Sequence, residues 1–265
     1  MTKPPVTDSP WSEWRASTPA RIALGRAGNG MPTDEVLHFS WSHALARDAI
    51  HAALDVAALE AALRQQHWDV LRARSRAGDR GTYLRRPDLG RSLDPRDADM
   101  LRATPRQPCD LCFVVGDGLS ALAVARHAAP LLGAMRPLLA PGLTVAPIVV
   151  AEQARVALVD EIAELMRARL AVILIGERPG LSSPDSLGIY LTHAPFAGRA
   201  DADRNCISNV RAEGLSYAAA AFKLSWLIDQ ALRRGLTGVA LKDDSDSALA
   251  LRGAAVAAVA TPRQP

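Results

Sequence analysis

The sequence predicts an α/β fold, a doubly wound and mostly parallel sheet that follows an α-rich N-terminal subdomain, and three observations carry that reading. Past Pro108 the apolar runs DLCFVVGDG, LTVAPIVV, LAVILIG and LGIYLTH alternate with helical stretches, the pattern that builds βαβ units. The runs are continuously apolar rather than alternating, as strands covered on both faces should be. The chain has 265 residues, 49% hydrophobic and 22% charged, so it can bury a full core. Bulk disorder, collagen-like repeats and a disulfide mini-scaffold are excluded by the same usage.

Residues 1–30 read as an arm rich in Pro, Ser and Gly that ends in RIALGRAGNG. From Thr33, a candidate N-cap followed by Asp34 and Glu35, a helix is predicted to about His51, and a second from about Asp55 to Gln66. The stretch WDVLRARSRAGDRGTYLRRPDLGR mixes short extended pieces with Gly and Pro turns, and DPRDADMLRA is a third short helix. These close an α-rich subdomain over 31–105. The α/β domain, 106–265, begins with DLCFVVGDG, the helical LSALAVARHA and the strand LTVAPIVV. An amphipathic helix from about Val156 to Arg169 leads into LAVILIG, the loop ERPGLSSPDS and the strand LGIYLTH. A last helix runs from about Gly214 to Arg234, with Gly235 as its stop signal. Residues 243–265 hold an alanine-rich piece and a polar end, expected to fray.

Charge and composition narrow the function. The 31 basic and 28 acidic residues leave a net +3 without basic clustering, which excludes the electrostatic footprint of a nucleic-acid binder. Aromatics at 5% leave few stacking platforms for single strands. Only Lys3, Lys223 and Lys242 are lysines, so arginine carries the positive charge. The start, MTKPPVTDSPWSEWR, lacks the apolar region of a secretory signal. The longest charge-free run, Pro137 to Ala151, is broken by prolines and falls short of the ~20 residues of a membrane helix. With three cysteines arguing against a disulfide framework, a cytoplasmic protein with no membrane span is expected.

Three segments are candidate sites. Gly116-Asp117-Gly118-Leu119-Ser120-Ala121 fits G-x-G-x-x-G/A at a strand-to-helix junction, where glycines admit a phosphate to the helix N-terminus. Asp117 is an anion inside that turn, and the first acid after the next strand, Glu152, comes later than the ~20 residues expected of a ribose-binding acid. Packing alone is the competing reading. Gly176-Glu177-Arg178-Pro179-Gly180 follows a buried strand at its carboxyl end, where open α/β sheets place ligands; a local salt bridge on a solvated loop is the alternative. Asp203 to Asn209 sets polar groups around the Cys206 thiol before a long helix, as a site or as a capping turn. Cys109 and Cys112 form a C-x-x-C pair whose second member lies inside the strand, which favours two buried or half-buried thiols over a metal or redox site. The six histidines fit no H-E-x-x-H or D-x-H-x-x-G pattern and read as surface or capped residues. No G-x-S-x-G, Walker A or paired acids of metal-ligand spacing is written, so no self-sufficient catalytic constellation is legible.

Taken together and in order, RIALGRAG, YLRRPDLGRSL, VVGDGLSA, LIGERPGL and DRNCISNVRAEGLSYAAAA resemble the small (light) subunit of ethanolamine ammonia-lyase, over about residues 20–235. The resemblance implies a lyase active only in complex with a large subunit, a TIM barrel that holds substrate, with adenosylcobalamin between the two. It implies Co–C homolysis, hydrogen abstraction from ethanolamine and release of acetaldehyde and ammonia, with the small subunit clamping the cofactor. The family's cobalamin contacts fall on Val156, Glu177 and Cys206. An amide-rimmed apolar disc suits an apolar contact, a carboxylate acceptor and a small soft residue in those places. Absence of D-x-H-x-x-G implies a base-on cofactor whose own benzimidazole stays on cobalt. Members form higher hetero-oligomers, and Arg21, Arg26, Arg85, Arg86 and Arg91 lie in the matching segments, where an interface could use them. Members packaged in bacterial microcompartments often carry a longer extension than the twenty residues before RIALGRAG, so packaging stays open. The rival reading is a stand-alone Rossmann-type NAD(P)-dependent oxidoreductase using Gly116 to Ala121, and a third is a scaffold with a decayed site.

Overall fold

Asp55 accepts the amide of Ala58 at 2.9 Å and starts helix α2, Val56–Gln65, whose Val56, Leu59 and Leu63 recur at helical spacing and are buried. That capped, amphipathic stretch is one of several α-helices among the described residues, which in this computed structural model are 6–103 and 107–248. Others are α1 (Thr33–His51), α3 (Arg80–Arg85), α4 (Pro95–Ala103), α5 (Ala121–Met135), α6 (Leu158–Leu165) and α7 (Tyr217–Arg234). Ser120 caps α5 and Ser216 caps α7 through their hydroxyls, and Gly235 ends α7 in the left-handed region at φ 68°. Helix α6 is shorter than the amphipathic pattern suggests. It opens two residues after Val156 and stops before Arg167, whose φ of 56° turns the chain into the next strand.

Six strands form one sheet: β1 (Val70–Arg74), β2 (Cys109–Gly116), β3 (Ile148–Glu152), β4 (Ala168–Gly176), β5 (Leu187–His193) and β6 (Arg204–Val210). Their order is β1-β3-β2-β4-β5-β6. The first four run parallel, with Val70 opposite Ile148, Val114 opposite Val149 and Phe113 opposite Val172. Strands β5 and β6 are antiparallel to their neighbours, pairing Val172 with Leu191 and Tyr190 with Cys206. The sheet is therefore mixed, which corrects the expected mostly parallel, Rossmann-like one. The cause is loop length: the 177–186 and 194–203 connections are too short for a helical crossover, so each chain reversal makes a hairpin. The order also differs from the 3-2-1-4-5-6 of dinucleotide-binding sheets.

Helices cover both faces. Val124, Leu131 and Leu132 of α5, Leu224 and Leu227 of α7 and Leu63 of α2 pack on Phe113, Val150 and Val172. On the other face, Leu158 and Ile162 of α6 and Leu101 of α4 pack on Val114, Val149 and Ile173. Edge strand β1 comes from the N-terminal part of the chain, so residues 70–74 belong to the same sheet as the later strands. Strand β6 went unread in the sequence because only Arg204, Ile207 and Val210 of its seven residues are buried, and the rest look like a polar turn. The frayed end expected over 243–265 lies outside the described residues from 249 onward.

Candidate functional site

Because β2→α5→β3 turns to one side of β2 and β3→α6→β4 to the other, a crevice opens at the carboxyl ends of β2, β3 and β4. A cleft of about 410 Å³ lies there, lined by Leu119 from the β2–α5 loop, Arg155 and Val156 from the β3–α6 loop, and Glu177 and Arg178 beyond β4. Tyr83 of α3 and Tyr190 of β5 complete its walls.

The glycine-rich turn builds this cleft by packing. A Cβ on Gly118 (φ 58°) would meet the Gly176 carbonyl oxygen at 2.3 Å, and one on Gly176 would meet the Ser120 carbonyl oxygen at 2.1 Å. The two glycines let the β2–α5 loop and the end of β4 touch, and the Leu119 amide donates to the Gly176 carbonyl at 2.9 Å. Asp117 is buried and its carboxylate accepts the amides of Gln153 (3.0 Å) and Ala154 (2.9 Å), with Arg80 3.6 Å away. Burial pushes this carboxyl above the usual range, and the two amides and Arg80 pull against it. Ser120 also donates to the Pro184 carbonyl at 2.8 Å, so the α5 N-terminus is capped and covered by the 177–186 loop. A dinucleotide pyrophosphate would need that turn and helix end free, and Asp117 and Ser120 already fill them. The oxidoreductase reading finds no support.

Glu177 is set by its neighbours. Its amide donates to the Ser186 carbonyl at 2.9 Å, while its Oε2 accepts the Ser186 hydroxyl and, at 3.2 Å, the Asn209 amide. Gly188 leaves room for it, since a Cβ there would lie 3.0 Å from Oε1. Both of these donors go to Oε2, and Glu177 is one of the residues that line the cleft. Arg178 lines the cleft but is exposed. Val156 sits in the turn before α6, half-buried, with its inner side against the α6-face core.

Cys206 faces solvent on β6, opposite Tyr190 across the β5–β6 pair. Desolvation pushes its thiol up, the Tyr190 hydroxyl bonded to it lowers it, and the negative charge of Glu177 raises it further. Burial, Cys206 and Glu177 likewise push the Tyr190 hydroxyl up. A thiol pushed up in this way favours its neutral form, which does not suit a nucleophile. Val156 and Glu177 therefore line one cleft, whereas Cys206 does not line it and is only the strand partner of the lining residue Tyr190.

Two walls escaped the sequence reading. Tyr83 is buried, donates to the Ala154 carbonyl at 3.0 Å, and has its hydroxyl pushed by burial up to about 12. Arg155 and Arg80 stack on its ring at 4.2 and 4.7 Å. The signal available was adjacency: Arg155 precedes Val156, and Tyr83 opens YLRRPDLGRSL. The polar groups around Cys206 mostly serve structure, since Arg204 pairs with buried Asp160 at 2.6 Å and Asn205 donates to the Leu241 carbonyl at 2.7 Å. Cys109 and Cys112 are both buried on β2. His127 departs from the expected surface setting; it is buried in α5, with Nδ1 2.8 Å from the Tyr217 hydroxyl and Nε2 3.5 Å from Asp185.

Residues 8–242 match the family model of the ethanolamine ammonia-lyase light chain. Ethanolamine ammonia-lyase small subunits from Azotobacter vinelandii and Pseudomonas putida are similar at 58% and 53% identity. The first alignment spans 92% of each chain, and the second 91% of this chain and 90% of the relative. A third, from Xanthomonas campestris, is 53% identical over 96% of this chain and 94% of its own.

Proposed function

This chain belongs to the ethanolamine ammonia-lyase light-chain family, and from that premise we propose that it clamps adenosylcobalamin against a TIM-barrel large subunit. The observation that carries this reading is the convergence of Val156 and Glu177 on one cleft, with Cys206 beside it on the strand paired to Tyr190. The donor set fits the cofactor. Leu119, Val156 and Ile175 offer apolar contact to a corrin, and Glu177 Oε1 offers an acceptor to the amide N–H groups on its rim. A corrin is broader than this cleft, so the chain holds one part of the cofactor and the large subunit covers the rest.

When bound, adenosylcobalamin supplies the radical initiation through which ethanolamine becomes acetaldehyde and ammonia. This chain's own work is to bind and orient. Ser186 and Asn209 fix Glu177, the Gly118–Gly176 contact fixes the loop carrying Leu119, and the apolar wall excludes water from the cofactor's edge. Val156 and Glu177 would hold the cofactor at its periphery, through apolar contact and an acceptor.

The N-terminal face supports the partner. Trp11, Trp14, Leu37 and Trp41 are exposed by 63%, 54%, 62% and 66%, and of α1 only Glu35, Ala46 and Ala49 are buried. Apolar exposure on this scale marks a surface that a partner covers. Arg80 ties it to the cleft, donating to the Ile50 carbonyl of α1 at 2.6 Å and to the Gly118 carbonyl at 2.8 Å. One covering subunit would therefore reach both. No described helix is long and apolar enough to cross a membrane.

Co-purification with the large subunit, followed by the absorbance of retained cobalamin, tests the proposal. A complex that retains corrinoid is expected; a chain that retains NAD alone, in a complex with no corrinoid, would sink it.

A further inference from the structure

Two arginines line the cleft without an ion pair among the described residues, and they are held very differently. Arg178 is exposed. Arg155 is half-buried and fixed at three points: its guanidinium stacks on Tyr83 at 4.2 Å, its Nη2 donates to the Tyr83 carbonyl at 3.2 Å, and its amide donates to the Gly90 carbonyl at 2.8 Å. Gly90 exists to admit it, since a Cβ there would lie 2.8 Å from Arg155 Cγ. Its Nε is buried and has no partner. That nitrogen is closed to solvent and therefore to a ligand, which leaves the rest of the guanidinium: a fixed cation in a cleft wall beside Val156, with no carboxylate partner among the described residues, suits an anionic oxygen from outside the chain.

The Tyr83 hydroxyl is neutral and donates to the Ala154 carbonyl, so it supplies no anionic oxygen, and the Tyr83 carbonyl already takes Nη2. Asp117 supplies none either, since its oxygens take the Gln153 and Ala154 amides and its ion pair is with Arg80. Glu177 stands on another wall of the cleft, and no ion pair joins it to Arg155 among the described residues. Among the groups a base-on cobalamin carries, the corrin side chains are neutral amides and the phosphodiester of the nucleotide arm is the single anion. We propose that Arg155 binds that phosphodiester, with Tyr83 and Gly90 as positioning residues. This assignment rests on the reading of the cleft as the cobalamin seat. A planar guanidinium whose stem is already ordered loses little freedom on binding, so the charge-assisted bonds are retained as affinity.

The test compares two corrinoids on the purified complex with the large subunit: cobalamin, and cobinamide, which keeps the corrin but lacks the phosphodiester and base. Arg155→Met is expected to weaken cobalamin binding about tenfold to a hundredfold, as for a lost hydrogen bond to a charged group, and cobinamide binding less than about twofold. Arg155→Lys should recover part of the cobalamin loss, because it restores charge without the fork. Equal weakening for both corrinoids, or none for either, would overturn the assignment by reducing Arg155 to a packing residue. So would a cobalamin-selective loss in Arg178→Met but not in Arg155→Met. Failure of the wild-type complex to bind either corrinoid is a distinct result: it removes the cofactor reading itself, and this inference with it.

Discussion

On the proposed reading, the Glu177 carboxylate is divided between structure and ligand. Its Oε2 holds the Ser186 hydroxyl and the Asn209 amide, and Oε1 would be the atom that takes the cofactor. Replacement by Gln keeps the shape but presents an amide whose one oxygen cannot serve both walls. In the complex, Glu177→Gln and Glu177→Ala should each weaken cobalamin binding about tenfold or more, by loss of bonds to a charged acceptor. The fold should change little, because the side chain sits on the cleft wall rather than in either core cluster. Equilibrium titration read beside thermal melting checks both statements; an unchanged dissociation constant removes Glu177 from the site. This residue was legible in the sequence because a Pro-Gly turn after a continuous apolar strand has few places to go. Arg155 was not, because what distinguishes it is the stack on Tyr83, a residue 72 positions earlier, and no local pattern announces such a contact.

At the scale of elements, the parallel strands and the helices between them were readable, since continuous apolar runs and helical spacing are local signals. Sheet direction was not: the turn of β5 back along β4 follows from the length of the 177–186 loop. Strand β6 was hidden by its composition, and what binds it is also non-local. Arg204 donates from Nη1 and Nη2 to the two oxygens of Asp160 on α6 at 2.7 and 2.6 Å, and from Nη1 to the Thr192 hydroxyl of β5 at 2.9 Å. The side chains are 2% and 1% exposed, so the pair is shielded from water and bridges an edge strand to a helix. Asp160→Ala should strand the guanidinium and cost about 3–5 kcal/mol, a fall in Tm on the order of 10 °C for a chain of this size. Hydrogen exchange should then rise first in β6, where Cys206 lies. A melting temperature within about 2 °C of wild type would show that water reaches this pair, against its burial.

For the whole molecule, the distribution of tryptophan separates a monomer's surface from a subunit's. Trp68 is buried at 8% exposure, while Trp11, Trp14 and Trp41 stand in solvent on the arm and on α1. Folding alone leaves those three residues more than half exposed, and α1 buries only Glu35, Ala46 and Ala49, so most of its apolar side chains do not serve this chain's own core. If the large subunit covers this face, the emission of the exposed rings should move to shorter wavelength when the subunits are mixed, in step with complex formation. Large exposed aromatics at the centre of an interface typically contribute at least about 2 kcal/mol each, so Trp41→Ser should weaken subunit association by roughly thirtyfold. Val239 is the control: it is 89% exposed but lies beside Asn205, near the β6 end that pairs Arg204 with Thr192 and away from Glu177. Val239→Ser should leave association unchanged, which separates a specific face from general hydrophobicity. Equal effects of the two substitutions, or emission that does not move on mixing, would place the partner on some other surface and detach the arm and α1 from the cleft.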